Sequence, residues 1–365
     1  MGSPPTIFGL DKWLRDCFYI EQFGSALGYK EAGVDLVIMG AIKRQSHLPV
    51  SGLSIPLPCF FPSISTIKTN LSLCEYLKLL VALGHPQFLL SAYDFYHVAP
   101  SERRKVAVLL SRAIRANRIV LLDSGNYESY WMEDKSWRYQ QYHRVLRSID
   151  CPLALSFDNQ NPPRFTKACI SLVEKDVLRD KLKSSGAAIL PIVHARSELL
   201  PEVIAGIAKR LNPILIAVPE RELGDGVLRR AETVCRIRTA LNSLGQYYPL
   251  HLLGTGNPLS LLIYALCGAD SFDGLEWCQT TVDHRTALLY HFQQRELFGD
   301  QTPFCAMSDI PYHQATLAHN LLFYRNWMKT IQKAAEMGRL SNMTDRYFTK
   351  EFAARLRIVL SKATK

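Results

Sequence analysis

Arg118-Ile-Val-Leu-Leu-Asp-Ser-Gly-Asn-Tyr127 carries the reading of the fold, because a run of apolar β-formers breaks off there at an aspartate, a serine and a glycine. A buried strand that ends in Asp123 holds a carboxylate at the rim of a sheet, and Gly125 lets the following backbone come close to a ligand. Tyr127 then offers a flat face nearby. Alone, Asp-Ser-Gly is a turn. Other strands in this chain end the same way, and the architecture follows from that repetition.

Working outward, apolar strand candidates appear at Cys59-Phe-Phe61, Gln87-Phe-Leu-Leu90, Ile119-Val-Leu-Leu122, Leu153-Ala-Leu-Ser-Phe157, Ala188-Ile-Leu-Pro-Ile-Val193, Ile214-Leu-Ile-Ala-Val218, Leu250-His-Leu-Leu253 and Asp270-Ser-Phe272. Most of the gaps hold a helix-like segment, such as 101–116 and 227–244. Eight alternating β and α units without an antiparallel hairpin signal argue for an α/β fold of the (β/α)8 TIM-barrel type over a doubly wound sheet. The expected organisation is an N-terminal extension over residues 1–57, with pieces at 12–24 and 35–42, then a barrel core over 58–275. A C-terminal helical segment over 276–365 contains a long helix, 316–337, with Leu317, Asn320, Leu321, Tyr324 and Met328 at helical spacing and Gly338 at its end.

In such barrels the chemistry sits where strands end. The strand ends here read Asp123, Asp158, His194, Glu220, the Gly254-Thr-Gly256 turn and Asp273. Two carboxylates facing each other across a barrel mouth suit cleavage of a glycosidic bond: one attacks or stabilises the sugar carbon while the other moves the leaving group's proton. If a second base enters the vacated pocket before water does, the same two residues run the reaction backwards. The result is base exchange.

The 365 residues are 48% hydrophobic, enough for a sizeable core, and the formal net charge of +10 favours a polyanionic partner, nucleic acid first. No stretch is long and apolar enough to span a bilayer and no export signal stands at the N-terminus, so a cytoplasmic protein without membrane contact is expected. Nine cysteines, with no Cys-x-x-Cys pair, read as reduced and mostly core. Between 127 and 147, Tyr127, Tyr130, Trp131, Trp137, Tyr139 and Tyr142 are interleaved with Lys135, Arg138, His143, Arg144 and Arg147. Aromatics stack on bases and cations track phosphates, so Trp131, Trp137, Arg138 and Arg144 are candidate nucleic-acid contacts. An amphipathic helix with an aromatic inner face explains the same spacing equally well.

Asp123-Ser-Gly-Asn-Tyr127 resembles the Asp-Ser-Gly-Gly-Phe/Tyr motif of tRNA-guanine transglycosylases. Phe157-Asp158, Pro191-Ile-Val-His194, Leu252-Leu-Gly-Thr-Gly-Asn-Pro258 and Ala269-Asp-Ser-Phe-Asp273 follow in that family's order, and His319-Asn-Leu-Leu-Phe-Tyr324 is similar to its C-terminal helix. The resemblance implies that Asp273 is the nucleophile on the sugar C1′ and Asp123 the general acid/base. By the same likeness Asp158, with Ser124 and Gly125, binds the base edge and Tyr127 and Leu253 sandwich the ring. His194 stands where the family usually has a glutamine, and Glu220 joins the base-binding set. The chain departs from tRNA-reading members by running straight from the Asp-Ser-Gly motif into Trp131-Met-Glu-Asp-Lys135 and by carrying Gly274-Leu-Glu-Trp-Cys278 after the nucleophile. That pattern is similar to the DNA-modifying branch of the superfamily, the DpdA-type 7-deazaguanine DNA transglycosylases.

The family's structural zinc has no Cys-x-Cys-x-x-Cys loop here; Cys278, His291, Cys305 and His319 are the residues that would form a Cys2His2 set. The expectation is thus a guanine transglycosylase acting on DNA by preference, with a free 7-deazaguanine as second substrate and accessory proteins to open the duplex. The same chemistry on tRNA is the runner-up. A non-catalytic partner subunit is the third reading, against which stands the presence of both Asp123 and Asp273.

Overall fold

The computed structural model describes residues 43–362 apart from 68, 70 and 308. The pieces expected at 12–24 and 35–42 lie outside the described residues. An antiparallel hairpin comes first, β1 (His47–Val50) and β2 (Leu53–Pro56), turned by Ser51 and Gly52 at φ 47° and 80°. Two consecutive positive φ values make the tight two-residue turn that matches strand twist. The hairpin lies within the expected N-terminal extension, ahead of the eight β/α units.

Eight parallel strands follow: β3 (Cys59–Ile64), β4 (Gln87–Ser91), β5 (Ile119–Asp123), β6 (Leu153–Leu155), β7 (Ala188–Leu190), β8 (Ile216–Pro219), β9 (Leu250–Leu253) and β10 (Ser271–Gly274). They pair in the order β7-β6-β5-β4-β3-β10-β9-β8. The seam between β7 and β8 is closed by Val193 N–H donating to the Ala217 carbonyl (2.8 Å) and Ala217 N–H donating to that of Pro191 (2.9 Å). The result is the (β/α)8 barrel with C-terminal helices.

Alternation along each strand builds two cores. Cys59, Phe61, Leu121, Leu153 and Ala217 fill the interior, while Phe60, Val120, Leu122 and Phe272 pack outward against the helices. Leu48, Val50, Ile55 and Leu57 of the hairpin join the interior set, so the hairpin plugs the N-terminal end of the barrel. That leaves the C-terminal end as the open one.

Beyond β10 a second hairpin forms, β11 (Thr280–Val282) with β12 (Leu289–His291), and then the long helix Tyr312–Glu336. This helix begins earlier than its apolar spacing indicates, directly after Pro311, which stands at its N-cap at φ −55° and ψ 138° and has no N–H to donate. Tyr324 stacks on Phe60 (centroids 4.6 Å) and donates to the Gly256 carbonyl (2.6 Å); Trp327 Nε1 donates to that of Pro258 (3.0 Å). These bonds fasten the helix to the loop after β9. Among the described residues no helix is long and apolar enough to cross a membrane.

Candidate active site

A cavity of about 400 Å³ opens at the C-terminal ends of the strands. Asp123, Ser124 and Tyr127 line it from the end of β5, Asp158 from the loop after β6, His194 from the loop after β7, Glu220 from that after β8, Leu253 from β9 and Asp273 from β10. All five charged strand-end residues singled out from the sequence reach this one space, and of the Gly254-Thr-Gly256 turn Gly254 does. Gly125 does not line it; its φ of +80° and a hypothetical Cβ only 2.6 Å from Tyr93 show why no side chain fits there. The glycine turns the chain so that its own N–H donates to Asp123 Oδ2 (2.8 Å).

The two principal carboxylates differ in how they are held. Asp273 accepts from Ser63 Oγ on Oδ2 (2.7 Å), and from His251 Nε2 and the Gly254 N–H on Oδ1 (3.1 Å each). Asp123 has fewer donors, and its pKa is pushed up to about 7, first by burial and then by the negative charges of Asp158 and Asp273; the bond from Gly125 works the other way. One carboxyl is thus poised to exchange a proton near neutrality. The other is held by three donors.

Asp158 is the opposite case. Burial alone would raise its pKa, but hydrogen bonds from His194, Asn126 and Ser124, with the His194 charge, hold it below the usual carboxylate range. Ser124 Oγ (2.9 Å) and Asn126 Nδ2 (2.7 Å) donate to Oδ1, His194 Nε2 (2.7 Å) and Gln160 Nε2 (2.5 Å) to Oδ2. His194 is bound on its other side by Glu222 through Nδ1 (3.0 Å). Burial would lower its pKa, yet these two carboxylates raise it to about 9, so the ring is an imidazolium at neutral pH. With both nitrogens engaged, it orients Asp158. Glu220 accepts from Arg230 (2.8 Å) and Tyr264 (3.0 Å), which fix it in the cavity wall.

Two carboxyls that the strand-end pattern did not single out also line the cavity. Glu128, in the short helix Asn126–Trp131, is raised to about 8 by burial and by the charges of Asp94 and Asp123, and its Oε2 is buried without a partner. Glu276, just past β10, is raised to about 7 by burial and by Glu220 and Asp273. Both stand inside loops or short helices, where apolar periodicity gives no signal. Glu276 does fall within the stretch 274–278, where the chain departs from the family motif it otherwise resembles.

The aromatic and basic segment splits. Tyr127 (40% exposed) lines the cavity and, with Trp131 (46%) and Tyr130 (73%) in edge-to-face contact, forms an open aromatic rim; Tyr139 is exposed too but lies under the Arg179 guanidinium (4.8 Å), and Arg138 and Arg144 are exposed. Trp137 does not belong to that rim: it is 3% exposed, packs edge-on against Tyr93 (5.3 Å) and donates from Nε1 to the Ser124 carbonyl (3.1 Å). Its expected role as a stacking platform is corrected, since a ring enclosed on both faces has none to offer a base. Tyr142 and His143 are likewise buried on the inner face of the helix Tyr139–Ser148.

The four residues expected to hold zinc do not converge. Cys305 Sγ lies 3.2 Å from His319 Nδ1, but Cys278 Sγ donates to the Leu275 carbonyl (3.1 Å) and the exposed His291 caps the helical turn Phe292–Phe298. His319 Nε2 is taken by the Val282 carbonyl (2.7 Å). Among the described residues no three His, Cys, Asp or Glu side chains stand close enough together to hold a metal ion. The region is instead tied by hydrogen bonds of the kind Asn320 makes to Trp277, Thr280 and Val282.

Fold and cavity together define a (β/α)8-barrel protein with a carboxylate-lined mouth of the kind used for acid/base and nucleophilic chemistry. No family model matches the chain. Two curated proteins are similar to it: the tRNA-guanine(15) transglycosylase of Thermococcus onnurineus, 21% identical over 329 residues, and that of Methanopyrus kandleri, 22% identical over 327. The alignments cover 84% and 83% of this chain, and 55% and 69% of the two relatives. The chain therefore spans about half the length of the first.

Proposed function

We propose that the protein is a guanine transglycosylase that exchanges a guanine in nucleic acid for a free 7-deazaguanine, through a glycosyl ester on Asp273. The observation that carries this reading is the pairing, in one cavity, of the donor-bound Asp273 with Asp123 titrating near neutrality. Asp273 attacks C1′ while protonated Asp123 delivers its proton to the departing base. Asp123, now ionised, then takes a proton from the incoming base as that base attacks C1′. Asp158, charged and acceptor-only, matches the N1–H and amino donors of guanine, which would replace some of its present donors. Tyr127 and Leu253 border the same space and suit the faces of a purine-like ring.

For the polymer the reading is DNA, with 7-cyano-7-deazaguanine as an example of the incoming base and accessory proteins to open a duplex. Its support is the short path from Gly125 directly into the helix Asn126–Trp131, where the resemblance leads one to expect a tRNA-reading insertion. A nucleotide must leave the stack to enter the mouth, so single strands should react first. The names of the two curated relatives favour tRNA as a second reading. Exchange of labelled guanine measured in parallel on single-stranded DNA, duplex DNA and tRNA separates the two. Incorporation into tRNA alone overturns the DNA reading, and incorporation into none overturns both.

A further inference from the structure

Below Asp273 the barrel interior departs from its apolar filling. Ser271 on β10 is level with Cys59 on β3 and with His251 on β9. All three are fully buried, and their outward-facing neighbours Phe60, Leu250, Leu252 and Phe272 pack with the helix layer. Polar groups in such a layer are unfavourable unless each is hydrogen-bonded. Here they form a chain: Cys59 Sγ donates to Ser271 Oγ (3.3 Å), Ser271 Oγ meets His251 Nδ1 (2.7 Å), and His251 Nε2 meets Asp273 Oδ1 (3.1 Å). With the thiol donating to the serine and the serine hydroxyl donating to Nδ1, the ring proton stands on Nε2 and points at the carboxylate.

The two oxygens of Asp273 are consequently unequal. Oδ1 takes both His251 and the Gly254 N–H, whereas Oδ2 takes only the Ser63 hydroxyl. We propose that His251 is a positioning residue for the nucleophile, which ties down Oδ1 so that Oδ2 is the atom that attacks C1′. This rests on the transglycosylase reading. In the first half-reaction an Oδ2 lone pair forms the bond to C1′ as the C1′–N9 bond breaks, and the departing base takes its proton from Asp123. In the second, N9 of the incoming base forms its bond to C1′, its proton goes to Asp123, and the C1′–Oδ2 pair returns to the carboxylate. His251 keeps its proton throughout. Its donation to Oδ1 stabilises the charge that returns to Asp273 in that second half.

Three variants and one spectroscopic measurement test the role. His251→Ala should lower kcat about 10²- to 10³-fold, as loss of one preorganised donor does, with KM little changed. His251→Gln, which keeps an N–H donor, should recover part of the loss, and Ser271→Ala, which frees the ring to change tautomer, should lose less than His251→Ala. The losses should fall on kcat rather than KM, and their order should follow the donor left to Oδ1 rather than the melting temperatures of the variants. Variants that lose activity only in proportion to melting temperature, with no recovery in His251→Gln, overturn the role of His251. Should the variants not fold, the ¹⁵N signals of His251 in the wild type decide: a proton on Nε2 supports the proposal and a proton on Nδ1 alone overturns it. Absence of exchange by the wild type on every polymer overturns the transglycosylase reading itself, which an active wild type with a wrong tautomer would leave standing.

Discussion

Asp270 and Asp273 stand at opposite ends of one short strand and live in different worlds. Asp270, at the plugged end, is fully buried and met by two guanidinium groups, Arg44 Nε (3.0 Å) and Arg238 Nη2 (2.8 Å), and by the Tyr247 hydroxyl (2.6 Å) and Leu250 N–H (2.9 Å). Asp273, at the open end, is met by a hydroxyl, an imidazole and an amide, and faces a cavity. One carboxylate is neutralised on every side and serves cohesion. The other keeps a lone pair for a ligand, and the same cavity holds Asp123, Glu128 and Glu276, whose pKa values are raised first by burial and then by neighbouring carboxylates. Asp270 is matched by two cations at the closed end, whereas at the open end Asp158 and Glu220 have cationic partners and Asp123 and Asp273 are held without a guanidinium.

The sharpest break of this contrast is Asp273→Asn. The change is isosteric and removes only the charge, so exchange and any denaturant-resistant adduct with nucleic acid should fall to background while the melting temperature stays nearly unchanged. Full activity in that variant would end the mechanism. Asp123→Asn should reduce kcat by about 10²- to 10⁴-fold, with KM little affected. Glycosylation by the wild type should slow as pH rises through about 7, because the acid form of Asp123 disappears there.

The same residue gives a stability test with a definite sign. Its folded pKa of about 7 lies above the ordinary 3.8, so between these values the folded chain binds the extra proton and stability falls as pH rises. Asp123→Asn should flatten that slope in denaturant titrations and gain stability over the wild type above neutral pH. A slope unchanged in the variant would mean that Glu128 and Glu276, also raised, carry it instead.

At the plugged end the expected effect is on folding alone. Asp270→Ala leaves Arg238 and Arg44 facing each other without their counter-ion and should lower stability by about 3–5 kcal/mol, read as a fall in melting temperature. Surviving protein should retain its kcat. The smallest effect distinguishes wall from rim: Trp131→Ala should weaken nucleic-acid binding by about 1–3 kcal/mol without touching stability. Trp137→Ala should do the reverse, at about 3–5 kcal/mol of stability. Equal melting temperatures in the two variants would refute that division.

Legibility followed periodicity. The strand β9 matches its expected span, and the others differ by a few residues at their ends, because alternating apolar runs bounded by turns are a strong local signal. The terminal polar residues could be placed at one rim as soon as the strands were taken to be parallel. Trp137 and Trp131 were indistinguishable by sequence, since both lie in the same aromatic run and only the turn at 132–138 sends one ring inward and the other out. Cys305 and His319 do meet, but the other two expected zinc partners are held elsewhere by hydrogen bonds that leave no mark in residue spacing.

By itself, then, the sequence determined a barrel of eight β/α units, a rim bearing Asp123, Asp158, His194, Glu220 and Asp273, and a basic chain suited to a polyanion. Those are properties of local pattern and composition, which a linear chain carries whole. Only the tertiary structure decided the protonation of those carboxyls, the tie of His194 to both Asp158 and Glu222, and the file of Cys59, Ser271 and His251 behind Asp273. A pKa depends on which charges and donors lie within a few ångströms and on how much water is excluded, and those neighbours come from distant parts of the chain, as Asp273 does for Asp123.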